Sequence, residues 1–203
     1  MLIWINGAFG VGKTQTAHEL HRRLPNAHVA DPELLGFALQ KMLPSKERND
    51  FQDLPQWRAG IIATLQQADA ACDGPVIVPM SIVRDDYFDE IIGSLRSEGL
   101  DLKHYALTAT SETLHKRLQQ RHAHISNRLF GRGETWAIQQ INRCVIALSA
   151  DKYATRVPTD DRSVDQVVET IAQDAGLTLT RPRLSPAQYQ LRRLAVGVRH
   201  IRI

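Results

Sequence analysis

Cysteine is almost absent from this 203-residue chain: Cys72 and Cys144 are the two it has, and neither has metal-ligand spacing around it. A disulfide-stapled fold is excluded on that count, and the usage fits a reducing compartment, so a cytoplasmic protein is expected. No apolar stretch approaches the roughly 20 residues needed to cross a bilayer. The apolar opening Leu2-Ile3-Trp4-Ile5 is ended by Asn6-Gly7 before it becomes a signal-peptide core. Internal repeats and low-complexity segments are also missing. What remains is ordinary for a folded domain: 43% hydrophobic and 23% charged residues, enough chain for one α/β domain with a real core. The net charge of +3 says little about partners until its distribution is considered.

Short apolar runs alternate with amphipathic stretches, the pattern of a parallel sheet with crossover helices. Strands are predicted at Leu2–Ile5, His28–Ala30, Val76–Met80, Lys103–Thr108 and Tyr153–Val157. Helices are predicted from Lys13 to Arg23, Glu33 to Leu43, Pro55 to Ala71, Asp85 to Glu98, Ser111 to Arg121, Glu134 to Leu148 and Ser163 to Ala175. Pro32 suits a helix start, Gly99 a helix end and Ser111 an N-cap. Residues 44–54 read as irregular and residues 122–133 as a polar loop. The expected fold is three-layered: a five-stranded, mostly parallel sheet with helices on both faces. Residues 1–180 would form the domain, with a lid at about 117–133, and 181–203 a basic tail.

The stretch Gly7-Ala8-Phe9-Gly10-Val11-Gly12-Lys13-Thr14 fits G-x-x-x-x-G-K-[ST]. The glycines let successive backbone N–H groups turn toward phosphate oxygens. Lys13 would place a charge on the β- and γ-phosphates, and the Thr14 hydroxyl would ligate Mg2+. The following helix points its positive dipole end at the same phosphates. Gly7 to Gln15 are therefore the expected nucleotide site, for ATP with Mg2+, and the motif sits between an apolar strand and an amphipathic helix as it must, which makes the expected fold a three-layer P-loop NTPase fold, nucleotide-kinase-like.

A P-loop names the nucleotide, not the reaction. Many ATPases carry an acid at the end of the strand beside the P-loop, but Val76–Met80 runs into Ser81 with no carboxylate. The carboxylate at a strand end is Asp31, followed by Glu33. This resembles P-loop small-molecule and nucleotide kinases such as shikimate kinase and chloramphenicol phosphotransferase. Asp31 would orient or deprotonate an acceptor hydroxyl, ligate metal, or simply cap the helix at Pro32. The acceptor pocket is expected outside the carboxyl edge of the sheet, among Asp31, Glu33, Phe37, Asp53, Trp57, Arg58, Met80 and Ser81. Trp57 and Arg58 would suit a nucleoside-like ring, while Trp57 also fits core packing. Arg121, Arg128 and Arg132 would supply mobile positive charge over the transferred group. By resemblance to adenylate-kinase-like enzymes, Arg117 would lie over the adenine.

The run Ile3 to Ala17, Glu19-Leu20, Asp31-Pro32-Glu33, Trp57-Arg58 and Val78-Pro79-Met80-Ser81 together resemble the tunicamycin-resistance protein family. The resemblance covers residues 1 to about 175. It implies an ATP-binding protein tied to resistance against a uridine-containing nucleoside antibiotic. A phosphotransferase acting on a hydroxyl of the drug or a related compound is the implied mechanism, and sequestration without chemistry the alternative.

No acidic residue follows Asp174, and residues 180–203 hold Arg181, Arg183, Arg192, Arg193, Arg199 and Arg202. A helix from Pro186 would align Ala187, Leu191, Leu194, Val198 and Ile201. Such a basic amphipathic helix can lie on an anionic membrane, here the inner face, or pack on its own domain or a second subunit. No nucleic-acid motif is present, so the acceptor is expected to be a small molecule rather than nucleic acid.

Overall fold

A computed structural model of the chain describes residues 1–124, 131–150 and 155–199, with side chains described outside residues 121–137, 194 and 197–199. The strands are β1 (Leu2–Gly7), β2 (His28–Val29), β3 (Val76–Pro79), β4 (Leu102–Thr108) and β5 (Thr155–Pro158). They form one sheet in the order β2-β3-β1-β4-β5, and every pairing is parallel. β1 lies at the centre and is buried along its whole length, which is why its sequence is a continuous apolar run rather than an alternating one.

The alternation appears in which core each residue enters. Ile3 and Ile5 face a cluster formed with Ala17 and Leu20 of α1 (Lys13–Arg23) and Val167, Val168 and Ile171 of α8 (Val164–Asp174). Leu2 and Trp4 face the other side, against Trp57, Ile61 and Leu65 of α3 (Pro55–Ala71) and Phe88 and Leu95 of α4 (Asp85–Phe88) and α5 (Ser94–Ser97). Helices thus cover both faces, giving the three layers expected.

Several predicted boundaries shift. The Asp85 to Glu98 helix is interrupted by a π-helical turn at Asp89–Gly93 between α4 and α5. It ends as predicted at Gly99, whose φ is 83°. The Leu100 N–H donates to Leu95 O and the Gly99 N–H to Arg96 O, the Schellman pairing. Ser111 does not cap α6 (Ser111–His124); Thr110 does, its Oγ1 accepting from the Thr113 N–H at 3.2 Å. Ser111 instead donates to Asn142 Oδ1 at 3.0 Å, tying α6 to α7 (Gly131–Leu148). With α6 reaching His124 and α7 starting at Gly131, the connection is shorter than the predicted 122–133 loop, and Arg132 lies in the first turn of α7. Residues 44–54 contain two short 3-10 turns, Ser45–Glu47 and Phe51–Asp53. They lie between α2 (Pro32–Met42) and α3, and the Phe51 ring fills the space where a Cβ on Gly36 would stand, 2.5 Å away.

The basic tail is tied to the domain. The Arg22 and Arg23 side chains donate to the carbonyls of Pro182 and Arg181, at 2.6 and 3.1 Å. Arg183 pairs with Glu169 of α8. From α9 (Pro186–Arg199), Arg192 donates to His18 O at 3.0 Å and lies 3.7 Å from Glu19. Among the described side chains of α9, Val196 is buried, while Leu191, placed on the expected apolar face, is 70% exposed. Among the described residues, no helix is long and apolar enough to cross a membrane.

Candidate active site

The site begins where β1 ends. Gly7, Gly10 and Gly12 all have positive φ, 153°, 82° and 108°. Gly12 occupies the N-cap position of α1 in a left-handed conformation that a Cβ would strain. That residue supplies no side-chain cap, and the first turn of α1 contains no acid. The N–H groups that begin a helix have no intrahelical partner, and an end left uncapped and unneutralised suits an anion. Lys13 Nζ donates to the loop carbonyls of Gly7 at 2.9 Å and Ala8 at 3.1 Å, and lies 5.4 Å from the Phe9 ring centroid. Ala8 and Val11 are buried and anchor the loop, while Thr14 and Gln15 are half-buried at its rim.

Two side chains not singled out as a pair hold the first glycine. Asn6, fully buried, accepts from the N–H groups of Gly7 at 2.8 Å and Ile82 at 3.1 Å. Its amide donates to Ile82 O at 2.8 Å and lies 3.2 Å from His104 Nε2. Ser81 Oγ donates to Gly7 O at 2.7 Å. The end of β3, where many P-loop ATPases place a carboxylate, here offers a hydroxyl that braces the loop. Burial lowers the His104 pKa to about 4, with the Arg96 charge adding to the effect. This histidine is therefore a neutral acceptor for Asn6 at ordinary pH.

Asp31 is the N-cap of α2, its Oδ1 accepting from the Glu33 N–H at 3.0 Å. Asp31, Glu33 and Phe37 are half-buried along this segment, and Phe37 meets Phe51 edge-on at 5.6 Å. Trp57 corrects one expectation. It is fully buried, packs on Phe51 and donates from Nε1 to Pro32 O at 2.9 Å. Its role is to hold the Asp31-Pro32 turn from beneath, not to offer a face to a ring. Met80 is likewise buried, its carbonyl accepting from Trp4 Nε1 at 3.1 Å. Arg58 is engaged by Glu90 at 2.6 Å and Gln52 O at 2.6 Å.

Beside the P-loop, a cleft opens between Phe9 and Ser81 on one side and residues from three other segments. Asp50 and Gln52 come from the turns before α3, Arg84 and Tyr87 from the start of α4, and Gln140, Arg143 and Cys144 from α7. Of the expected acceptor residues, Ser81 lines this cleft, and Asp53 and Arg58 act through Tyr87 on its wall. The Tyr87 hydroxyl donates to Asp53 at 2.6 Å. The Tyr87 ring carries the Arg58 and Arg84 guanidiniums at 4.4 and 4.0 Å from its centroid. Burial and the Asp53 carboxylate raise the Tyr87 pKa, which keeps this phenol protonated. Sequence reasoning missed Asp50, Gln52, Arg84, Tyr87, Gln140 and Arg143. Their separation along the chain leaves no spacing to read.

On the far side of the P-loop, Arg117 of α6 donates to Thr159 O at 2.6 Å, Thr159 Oγ1 at 3.0 Å and Val11 O at 3.4 Å. It therefore joins α6, the P-loop and the segment after β5. The side chains of Arg121 and Arg132, and all of Arg128, lie outside the described residues.

The AAA domain family matches residues 2–139. The tunicamycin resistance protein of Deinococcus radiodurans is 32% identical, with a TM-score of 0.73, covering 89% of this chain and 99% of its own. A gluconokinase from Sinorhizobium meliloti 1021 is 17% identical with a TM-score of 0.58, covering 86% of this chain and 90% of its own. Shikimate kinase from Bacteroides thetaiotaomicron is 18% identical with a TM-score of 0.56, covering 87% and 99%. These two show the fold. No curated protein sequence matches the chain significantly. With its P-loop, its five parallel strands and these likenesses, the chain belongs to the AAA domain family and to the family of the tunicamycin resistance protein, and is a P-loop kinase-like protein.

Proposed function

We propose that the protein is an ATP-dependent phosphotransferase acting on a hydroxyl of tunicamycin or a related nucleoside-like compound. The observation that carries this reading is the adjacency of an uncapped, Lys13-bearing P-loop to a polar cleft through Phe9 and Ser81. Gly7 to Gln15 bind the triphosphate, with Lys13 moving from its own loop carbonyls to the phosphates. Arg117, fixed at Val11 and Thr159, faces the base. The Thr14 hydroxyl is the protein's ligand for Mg2+, which when bound offsets charge on the triphosphate. Arg121, Arg128 and Arg132 form the lid. Asp31 orients the acceptor hydroxyl and takes its proton, aided by Glu33 and Phe37 beside it.

The test is incubation of the protein with Mg-ATP and tunicamycin, followed by mass spectrometry. A product one phosphate heavier is expected; tight drug binding without product would establish sequestration in its place. Asp31→Asn keeps the oxygen that caps α2, so its melting temperature should stay close to that of the parent. Its transfer rate should fall by about 10²-fold or more. A rate unchanged by that substitution would remove Asp31 from the chemistry.

The protein is assigned to the cytoplasm, with α9 making peripheral contact with the membrane through its exposed Leu191 and its arginines. Leu191→Glu should halve or further reduce sedimentation with phosphatidylglycerol-containing vesicles. Equal sedimentation of parent and variant would dismiss the membrane contact.

A further inference from the structure

We infer that Ser81 is a positioning residue for Lys13: its hydroxyl holds the Gly7 carbonyl, so that the Lys13 ammonium can leave that carbonyl for the phosphates. This rests on the phosphotransferase reading above and names the residue that readies its phosphate site.

The Gly7 carbonyl is made available by a break in the sheet. Along β1, the carbonyls of Met1 and Ile5 accept from the N–H groups of Val76 and Met80, at 3.0 and 3.1 Å. The carbonyls of a strand point alternately to its two neighbours, so the next rung toward β3 would join the Ile82 N–H to Gly7 O. Asn6 intervenes, its Oδ1 taking the Ile82 N–H at 3.1 Å. Gly7 is buried, so its carbonyl needs another donor. Among the described residues its donors are Ser81 Oγ at 2.7 Å and Lys13 Nζ at 2.9 Å.

These donors are unlike. Lys13 carries its ammonium on a flexible stem that can turn to a phosphate. Ser81 is short, buried, and set on a pinned backbone. Trp4 Nε1 donates to Met80 O at 3.1 Å, Gln52 Nε2 to Ser81 O at 3.2 Å and Asn6 Nδ2 to Ile82 O at 2.8 Å. Ser81 therefore stays when Lys13 goes. The second carbonyl that Lys13 holds, Ala8 O, also has another donor, the Val11 N–H at 3.3 Å. Both carbonyls thus keep a hydrogen bond after the ammonium has left. A buried carbonyl deprived of its donor costs free energy, and that cost would weaken ATP binding. The carboxylate that many P-loop ATPases carry after this strand could not serve, because an ionised acid has no proton to donate.

The test is a double-mutant cycle on the full-length protein. Without nucleotide, Ser81→Ala should melt close to the parental temperature, because Lys13 still holds Gly7 O. Lys13→Ala should do the same, because Ser81 holds it. The double variant leaves Gly7 O with neither donor and should melt about 5 °C below the sum of the two single shifts. In isothermal titration, Ser81→Ala should bind ATP about tenfold more weakly than the parent. Parental ATP affinity in Ser81→Ala, additive melting shifts in the double variant, or a Ser81→Ala protein that melts as low as the double variant would each overturn the inference. The two readings fail separately. ATP binding weakened in Lys13→Ala but not in Ser81→Ala would defeat this inference and keep the phosphate site. The expected ATP affinities and melting shifts, with no acceptor phosphorylated, would keep the role of Ser81 and defeat the phosphotransferase.

Discussion

Lys13→Ala is expected to abolish phosphoryl transfer and to weaken ATP binding, with a loss in kcat/KM of about 10³-fold or more. The reason lies in what surrounds that ammonium. It rests on the carbonyls of Gly7 and Ala8, so the loop already places a cation at the mouth of an uncapped helix. Developing charge on the transferred phosphoryl group would lose its nearest fixed counter-charge. The fold should survive, because the Lys13 side chain bonds to loop carbonyls and belongs to neither core. Isothermal titration with ATP and a coupled ADP assay measure the two effects. A variant that turns over at the parental rate would refute the assignment of this loop as the phosphate site.

The second large effect is expected at Asn6. Asn6→Leu conserves volume but leaves the N–H groups of Gly7 and Ile82 and the carbonyl of Ile82 without their partner in a fully buried place. Each buried group left unsatisfied costs about 1–3 kcal/mol, so a total destabilisation on the order of 4 kcal/mol is expected from chemical denaturation. The KM for ATP should rise as well, since the Gly7 peptide enters the P-loop. An unaltered denaturation midpoint would show that β1 and the segment after β3 are not held by this amide. The same network carries a pH dependence. His104 binds its proton with a pKa of about 4 when folded, against 6.5 in an unperturbed state. Between those values the unfolded chain holds more protons, so stability is full above about 6.5 and declines as pH falls toward 4. The loss amounts to roughly 3 kcal/mol in all. His104→Gln, which keeps an acceptor for Asn6, should flatten that part of the curve of melting temperature against pH.

Much of the fold could be read from residue order because the causes are local. Gly12-Lys13 fixes a left-handed residue and a helix start. The unbroken apolar run before it marks a strand covered on both faces. Gly99 ends a helix wherever it falls. The failures had equally local causes: Thr110 and Ser111 are both good caps, and side-chain packing against Asn142 chose between them. Trp57 beside Arg58 looked like a ring-binding pair, yet adjacent helical residues point in different directions, and one entered the core while the other turned to Glu90.

The residue order by itself determined the P-loop, the parallel α/β plan, the absence of an acid after β3 and the capping turn at Asp31, since each depends on residues close together in the chain. Tertiary structure alone decided what stands in place of that acid and what lines the cleft beside the P-loop. Ser81 and Gly7 meet because β1 and β3 are neighbours in the sheet. Asp50, Tyr87 and Arg143 line one cleft because three segments far apart in sequence converge beside the P-loop. The contact of α9 with α1 through Arg192 is likewise set between segments far apart in the chain.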